Sequence, residues 1–528
     1  KSSPRSKQEI EDVVPLQPQE RRFSGPVERD QHRSKQIALF YDKPMEDLSH
    51  KKALTDPIFK VISKAATQLG LEAYVVGGYV RDYFLDRGAK QDIDVVAIGS
   101  GIALAEKVSQ LLPGTPKVTV FKNFGTAMIR QGDLHLEFVG ARKESYRKES
   151  RKPLVEDGTL EEDQKRRDFT INAMALDLRP ESFGLLLDPF EGRKDLKKGV
   201  IRTPLNPDIT YSDDPLRMIR AIRFAAQLGF QIAPASLQAI EKNRDRIRIV
   251  SRERIVDELQ KIMATDQPSV GLTLLHNTGL LEYILPELTA LRGIEEIEGQ
   301  RHKDNFWHTL EVVDNICRAT DKLWLRWAAL LHDIGKAPTK RFDAKIGWTF
   351  HGHEFVGSKM VYSLFKRLRL PLNEHMKYVQ KLVRLSSRPV SLSDDHVTDS
   401  AVRRLIFDAG NDVEDLMTLC EADITTKNPR KQKRYLRNFA AVRKKIKEVE
   451  ERDRIRNFQP PVTGEQIMKA FNLEPSREIG KIKDAIKEGI LEGEIPNEPE
   501  AAHRFMIQKG LELGLTPSGE ATQYKKGG

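Results

Sequence analysis

The stretch Val75-Val76-Gly77-Gly78-Tyr79-Val80-Arg81-Asp82, with Asp92-Ile93-Asp94 ten residues later, constrains the chain more than any other. An apolar run ending in paired glycines predicts a strand that turns directly into a helix, and the two carboxylates fall in a second strand-like run. Gly77 and Gly78 let the backbone approach an anion closely, and the start of the helix presents unpaired N–H groups. Arg81 adds a bidentate phosphate donor, and Asp82 can orient it. On a strand, Asp92 and Asp94 leave the same face with Cα atoms roughly 7 Å apart. That spacing suits two divalent cations about 3.5–4 Å apart. Glu137, in the alternating run Leu134-His135-Leu136-Glu137-Phe138-Val139, supplies a third carboxylate if its strand lies beside the first. The pattern is a phosphate cradle next to a metal site.

At 528 residues the chain exceeds a single core, which suggests about three to four domains. No run of about eighteen apolar residues occurs, so no membrane span is expected, and no apolar segment of signal-peptide kind follows the charged opening. Cys317 and Cys420 form no disulfide framework and fit a reducing, cytoplasmic setting. The net charge of +10 points to a polyanionic partner. No feature points to a protein partner.

Residues 1–44 mix nine basic and seven acidic side chains without periodicity and read as a disordered extension, with Met45 as the natural start. Residues 45–200 form an α/β head with a mixed sheet. Its predicted elements are a helix over 53–69, strands over 73–76 and 92–98, a helix over 102–112, and strands over 117–121, 126–130 and 134–139. The charge-dense segment 144–165, with Pro153 and Gly158, reads as a mobile loop. From 201 onward an all-α body is expected. It comprises a helical neck over 201–290, a histidine-rich module over 291–430 and a helical C-terminal region over 431–528, with helices over 216–228, 251–264, 323–333, 353–368 and 434–451.

Two further motifs follow the first. Arg166-Arg167-Asp168-Phe169-Thr170-Ile171-Asn172 is one, and Asp213-Asp214-Pro215-Leu216-Arg217-Met218-Ile219-Arg220 the other. Asp214 and Arg217 are three apart and would share a helix face. A carboxylate accepts from an exocyclic amine while a guanidinium donates to a ring nitrogen. Cytosine and adenine offer that pairing; uracil and guanine offer its reverse, so one Asp–Arg pair selects C and A without a template. Arg220 continues the face toward the phosphates, and Arg223 reads as part of a solvated face.

In this order the motifs resemble the class II tRNA nucleotidyltransferases (CCA-adding enzymes) and bacterial poly(A) polymerases, of the polymerase-β-like superfamily, over roughly 53–290. The resemblance implies Mg²⁺ held by Asp92 and Asp94, with Glu137 as the third catalytic carboxylate. It implies nucleotide binding by Gly77, Gly78, Arg81, Asp82, Arg167, Asp168, Asn172, Asp214, Arg217 and Arg220, with Asp168 at the ribose. Where the family has Glu-Asp-x-x-Arg, this chain has Asp213 in place of the Glu. The implied activity is addition of CCA to the 3′ end of tRNA from CTP and ATP.

Five of the twelve histidines (His302, His308, His332, His351 and His353) fall between 302 and 353. Gly335 reads as the residue that breaks the helix after His332-Asp333. His308, His332, Asp333 and Asp423 resemble the ligands of HD-domain metal phosphohydrolases, which implies a second divalent transition metal. Serines at 386 and 387, where a further histidine would be expected, count against a dinuclear site. Lys427–Arg456 carries 13 Lys/Arg against 4 Asp/Glu, as an RNA-contacting helix would.

A poly(A) polymerase with the same head is the nearest alternative, and the lack of a long basic C-terminal tail weighs against it. An A-adding or CC-adding specialist would differ through the behaviour of 144–165. An HD phosphohydrolase with a relic head and a non-catalytic RNA-binding protein are the alternatives from other classes.

Overall fold

The computed structural model of the chain describes residues 49–518, apart from 89–90, 123–124, 148–149, 298–299, 302, 393–397 and 457. The 1–44 extension and His302 therefore lie outside the described residues. Two compact units result, the first comprising residues 49–83, 91–139 and 174–189, and the second 84–88, 140–173 and everything from 190 onward.

In the first unit, α1 (Pro57–Leu69) leads into β1 (Glu72–Val76), α2 (Gly78–Phe84), β2 (Asp92–Ile98) and α3 (Gly101–Leu111). Strands β3 (Val118–Phe121), β4 (Thr126–Gln131) and β5 (Leu134–Gly140) follow, and β8 (Ala175–Asp177) and β9 (Leu186–Leu187) join later. The seven strands form one sheet in the order β3-β4-β5-β2-β1-β8-β9. Strand β1 runs antiparallel to both β2 and β8. At the β5–β2 junction the His135 N–H donates to the Gln91 carbonyl at 2.8 Å, so the two strands begin side by side and run the same way. The sheet is thus mixed. Helix α1 packs on α3, and α3 covers β2 and β4, enclosing a core that includes Phe59, Ile62, Val75, Val95, Leu104, Ile129 and Phe138.

The helix expected over 53–69 is interrupted. Residues Lys51–Leu54 form a 3₁₀ turn, and α1 begins only at Pro57. Proline disfavours helical backbone in the residue before it, and Asp56 caps the new start by accepting from the Ile58 N–H at 2.8 Å.

In the second unit, the described residues of 144–165 form strands and a helix rather than a loop. Strands β6 (Arg142–Arg147) and β7 (Ser150–Asp157) form an antiparallel hairpin, followed by α4 (Leu160–Lys165). A reciprocal capping box starts α4: the Glu162 N–H donates to Thr159 Oγ1 and the Thr159 N–H to Glu162 Oε2.

Helices α5 (Pro207–Asp213) and α6 (Leu216–Leu228) carry the third motif, and α6 packs on α7 (Arg252–Met263) and α8 (Pro268–Asn277). Beyond them lie α9 (Asn305–Ala319), α10 (Leu323–Leu331), α11 (His353–Leu368), α12 (Glu374–Leu385) and α13 (Val413–Ala422). Trp327, Phe306 and Phe365 are fully buried there. The 25-residue α14 (Pro429–Asp453) buries Phe439, Val442, Ile446 and Val449 along one stripe, while Lys431, Lys433, Arg434 and Arg437 face water.

Candidate active site and metal centre

In the first unit the antiparallel register pairs Val76 with Asp94. The Gly77–Gly78 turn therefore leaves the sheet at the end where Asp92 and Asp94 start β2. Gly77 sits at φ +75°, a left-handed conformation that side chains disfavour. Arg81 and Asp82 follow on α2 and form a buried bidentate pair, with Arg81 Nε donating to Asp82 Oδ1 and Nη2 to Oδ2, each at 2.9 Å.

Asp92 is open to solvent, its side chain 82% exposed. His135 Nδ1 on β5 lies 3.0 Å from Asp92 Oδ1, which places both side chains on one face of the sheet. Glu137 is two residues further along β5 and Asp94 two further along β2, so strand alternation puts all three carboxylates on that face. An all-carboxylate donor set on adjoining strands fits a hard, oxygen-seeking divalent cation. His135 was not anticipated as a site residue, although its spacing of two from Glu137 was legible.

The second unit carries the other two motifs. Asp168 Oδ1 accepts from its own Phe169 N–H at 2.8 Å and from Asn172 Nδ2 at 3.0 Å. Asp168 Oδ2 accepts from Arg220 Nη2 at 2.6 Å and Nε at 2.9 Å. Burial alone would raise the Asp168 pKa, but the Arg220 guanidinium and the Asn172 amide hold it down at about 2. Arg220 thus faces Asp168, and its Nη1 lies 3.6 Å from Glu258 Oε1 on α7. Arg223 is buried, not solvated, and donates from Nε to Glu258 Oε2 at 2.6 Å. Glu258 had no sequence signal; it becomes recognisable only when α7 packs on α6.

Asp214 and Arg217 are both half-buried, but Asp214 is not on the helix with Arg217. It caps the end of α5 in extended conformation (φ −128°, ψ 96°), and α6 starts after Pro215. Asp214 Oδ1 accepts from the Leu216 N–H at 3.2 Å, while Arg217 Nη2 donates to the Arg166 carbonyl at 2.7 Å.

In the histidine-rich module, ligand atoms of His308, His332 and Asp423 lie within 4.8 Å of one another. This is the one such group of three or more found among the described residues. His308 comes from α9, His332 from the end of α10 and Asp423 from the end of α13. Asp423 Oδ1 lies 2.7 Å from His308 Nε2 and 3.6 Å from His332 Nε2. Asp423 Oδ1 and His332 Nε2 are both buried, with Oδ1 facing the two imidazoles. Two imidazoles and a carboxylate converging in a buried space are a donor set that fits a divalent cation, which would take the place of the proton on His332.

Asp333 stands next to this group, its Oδ2 3.4 Å from His332 Nε2 and 2.7 Å from Lys336 Nζ. Burial would lower the His332 pKa, but the Asp333 and Asp423 carboxylates push it up to about 10. His353 Nε2 lies 3.7 Å from Asp333 Oδ1, whereas His351 is exposed. Lys303 Nζ reaches His308 Nδ1 at 2.5 Å and Thr425 Oγ1 at 2.6 Å. Lys303 and Lys336 were not foreseen.

Gly335 has an ordinary helical backbone, φ −72°. A Cβ there would lie 2.0 Å from the His353 carbonyl oxygen and 2.7 Å from the Gly357 nitrogen. Close packing, and not helix breaking, requires glycine at this position.

Three family models match the chain. They are the poly A polymerase head domain over 73–202, the probable RNA and SrmB-binding site of polymerase A over 229–291, and the HD domain over 305–426. An A-adding tRNA nucleotidyltransferase of Deinococcus radiodurans is 32% identical over 366 residues, 67% of this chain and 80% of that protein. A multifunctional CCA protein of Neisseria gonorrhoeae is 34% identical over 309 residues, 57% of this chain and 70% of that protein. A solved complex of a CCA-adding enzyme with ATP matches with a TM-score of 0.58 at 22% identity, covering 88% of this chain and 98% of that one; it shows the fold alone.

A carboxylate-bearing nucleotidyltransferase head followed by a helical body with an HD domain defines the class. Both modules are of kinds that depend on divalent metals. Within that class, the chain belongs to the tRNA nucleotidyltransferase family. No helix among the described residues is long and apolar enough to cross a membrane.

Proposed function

We propose that the chain completes the 3′ CCA of tRNA from CTP and ATP by template-independent nucleotidyl transfer. The observation that carries the reading is an anionic acceptor, Asp214, and a cationic donor, Arg217, at the junction of α5 and α6, with Arg217 one turn before the Arg220 that holds Asp168. Asp214 accepts the exocyclic amine of cytosine or adenine, and Arg217 donates to the adjacent ring nitrogen. Asp168, steadied by Asn172 and Arg220, orients the ribose, and Arg167, with one edge of its guanidinium held by Asp163, belongs to the nucleotide-binding set. In the head, Gly77 and Gly78 admit the triphosphate, with Arg81 and Asp82 behind them. Asp92, Asp94 and Glu137 would hold Mg²⁺, which when bound would make the 3′-hydroxyl more acidic and offset charge on the pyrophosphate. The exposed basic stripe of α14 follows the tRNA backbone. His308, His332 and Asp423 would hold a second, transition-type divalent ion, with Asp333 beside them. Two unpaired thiols, Cys317 and Cys420, support a cytoplasmic setting.

The similarity to the Deinococcus protein favours a second reading, an A-adding specialist. Extension of tRNA transcripts ending before CCA, and before the final A, separates the readings. Two additions with CTP and a third only when ATP joins support CCA addition. A single A on the CC-ended transcript, with no use of CTP, supports the specialist. A long ladder with ATP alone marks a poly(A) polymerase, and no extension overturns nucleotidyl transfer.

A further inference from the structure

Asp163 belongs to none of the three motifs, yet it is fully buried, with 0% exposure. It sits on α4 three and four residues before Arg166 and Arg167, and both guanidiniums close on its carboxylate. Arg166 Nε donates to Asp163 Oδ1 at 2.9 Å, and its Nη2 makes a still shorter contact with the same oxygen. Arg167 Nε donates to Oδ2 at 3.1 Å, with Nη2 3.0 Å from that oxygen. The neighbouring Gln164 is also buried and donates from Nε2 to the Ala173 carbonyl at 2.7 Å. The short helix is thereby clamped at both its start, through the Thr159–Glu162 box, and its end.

The consequence reaches the base-reading pair. Arg217 Nη2 donates to the carbonyl of Arg166, the residue whose side chain Asp163 holds. A guanidinium is a rigid planar fork, so fixing one of its N–H groups sets the plane and direction of the rest. Base choice of the kind proposed above requires a donor and an acceptor at fixed positions. A donor free to swing can meet a uracil or guanine edge as readily as a cytosine or adenine one.

We propose that Asp163 is a specificity-determining positioning residue: by pinning Arg166 and Arg167 it holds the Arg166 carbonyl that aims Arg217 at the incoming base. The inference rests on the reading of Asp214 and Arg217 as the base selectors. It gives the segment after the β6–β7 hairpin a defined role, as the support of the selecting arginine.

The test is steady-state extension of tRNA lacking CCA by the full chain, with CTP, ATP, UTP and GTP assayed separately. Asp163→Asn should raise KM for CTP and ATP about tenfold, leave kcat nearly unchanged, and shrink the CTP-over-UTP ratio of kcat/KM about tenfold. Asp163→Glu should recover most of that ratio. Arg166→Gln keeps the carbonyl but releases it from Asp163, so it should shrink the ratio similarly. If Asp163→Asn does not fold, Arg166→Gln decides alone. A uniform loss on all four nucleotides, or an unchanged ratio in a folded variant, overturns the proposal. Arg217→Ala guards the parent reading: if it leaves the ratio intact, base selection by Arg217 is what fails.

Discussion

Arg220 Nη2 donates to Asp168 Oδ2 at 2.6 Å, tying the second motif to the third across 52 residues of sequence. Asp168 is only 10% exposed and Arg220 30%. Removing one partner of such a pair leaves the other charge poorly solvated, which commonly costs about 3–5 kcal/mol when burial is complete. Because this pair is partly open, Arg220→Ala should lower stability by about 2–3 kcal/mol in urea unfolding. It should also raise KM for both nucleotides, since Asp168 loses its orienting partner. Unchanged stability would show that Asn172 and the Phe169 N–H suffice to hold Asp168.

The depressed pKa of Asp168 fixes the sign of an acid effect. Its native value of about 2 lies below the ordinary 3.8, so its contribution is fully present above pH 3.8 and lost as pH falls toward 2. The stability difference between wild type and Asp168→Asn should stay constant from about pH 7 to 5, then close by about 2 kcal/mol between about pH 4 and 2. Closure at higher pH would mean that Arg220 does not hold the carboxylate in its ionised form.

Asp92→Ala removes a solvent-exposed carboxylate from the three in the head. Nucleotide addition should fall at least about a thousandfold, equivalent to about 4 kcal/mol of barrier. Metal uptake at the histidine-rich module should be untouched. A parallel loss of that uptake would mean the variant had unfolded.

His332→Ala removes an imidazole and Asp423→Asn the carboxylate charge from the group that converges at the HD site. Changing a residue that only hydrogen-bonds to a metal ligand already costs about 10–100-fold in affinity, so loss of a ligand should cost more. Titration with Mn²⁺ or Co²⁺ by calorimetry checks this, with nucleotide addition as the control that should persist. Equal affinity in wild type and both variants would remove the metal reading of this site.

Gly335→Ala places a methyl 2.0 Å from the His353 carbonyl oxygen. Backbone atoms cannot give way as a side-chain tip does, so destabilisation at or above the upper end of the usual overpacking range, about 3 kcal/mol, is expected in thermal or urea unfolding. A neutral result would mean that α11 shifts freely in this region.

Much of the architecture was legible. The strand over 92–98 and the helices over 216–228 and 353–368 appear with the predicted boundaries, because apolar periodicity and helix-ending residues are local signals. The hairpin at 142–157 was missed because its charged strands lack an apolar alternation. Pro57 was overlooked as a break because the apolar pattern runs on across it.

Side-chain partnerships were less legible. The sequence could place Asp214 and Arg217 close together but put them on one helix, where Pro215 in fact separates the cap from the coil. It marked Arg223 as solvated because the helical wheel does not reveal that α7 would bring Glu258 against it.

The sequence by itself determined the elements, the glycine turn, the acidic pair on one strand face and the histidine-rich segment, since each depends on residues a few positions apart. Only the tertiary structure decided that His135 would meet Asp92, that Glu258 would bind Arg223, and that His308, His332 and Asp423 would converge. Those meetings join residues 24 to 115 positions apart, and packing of whole helices and strands, not local preference, fixes which side chains come together.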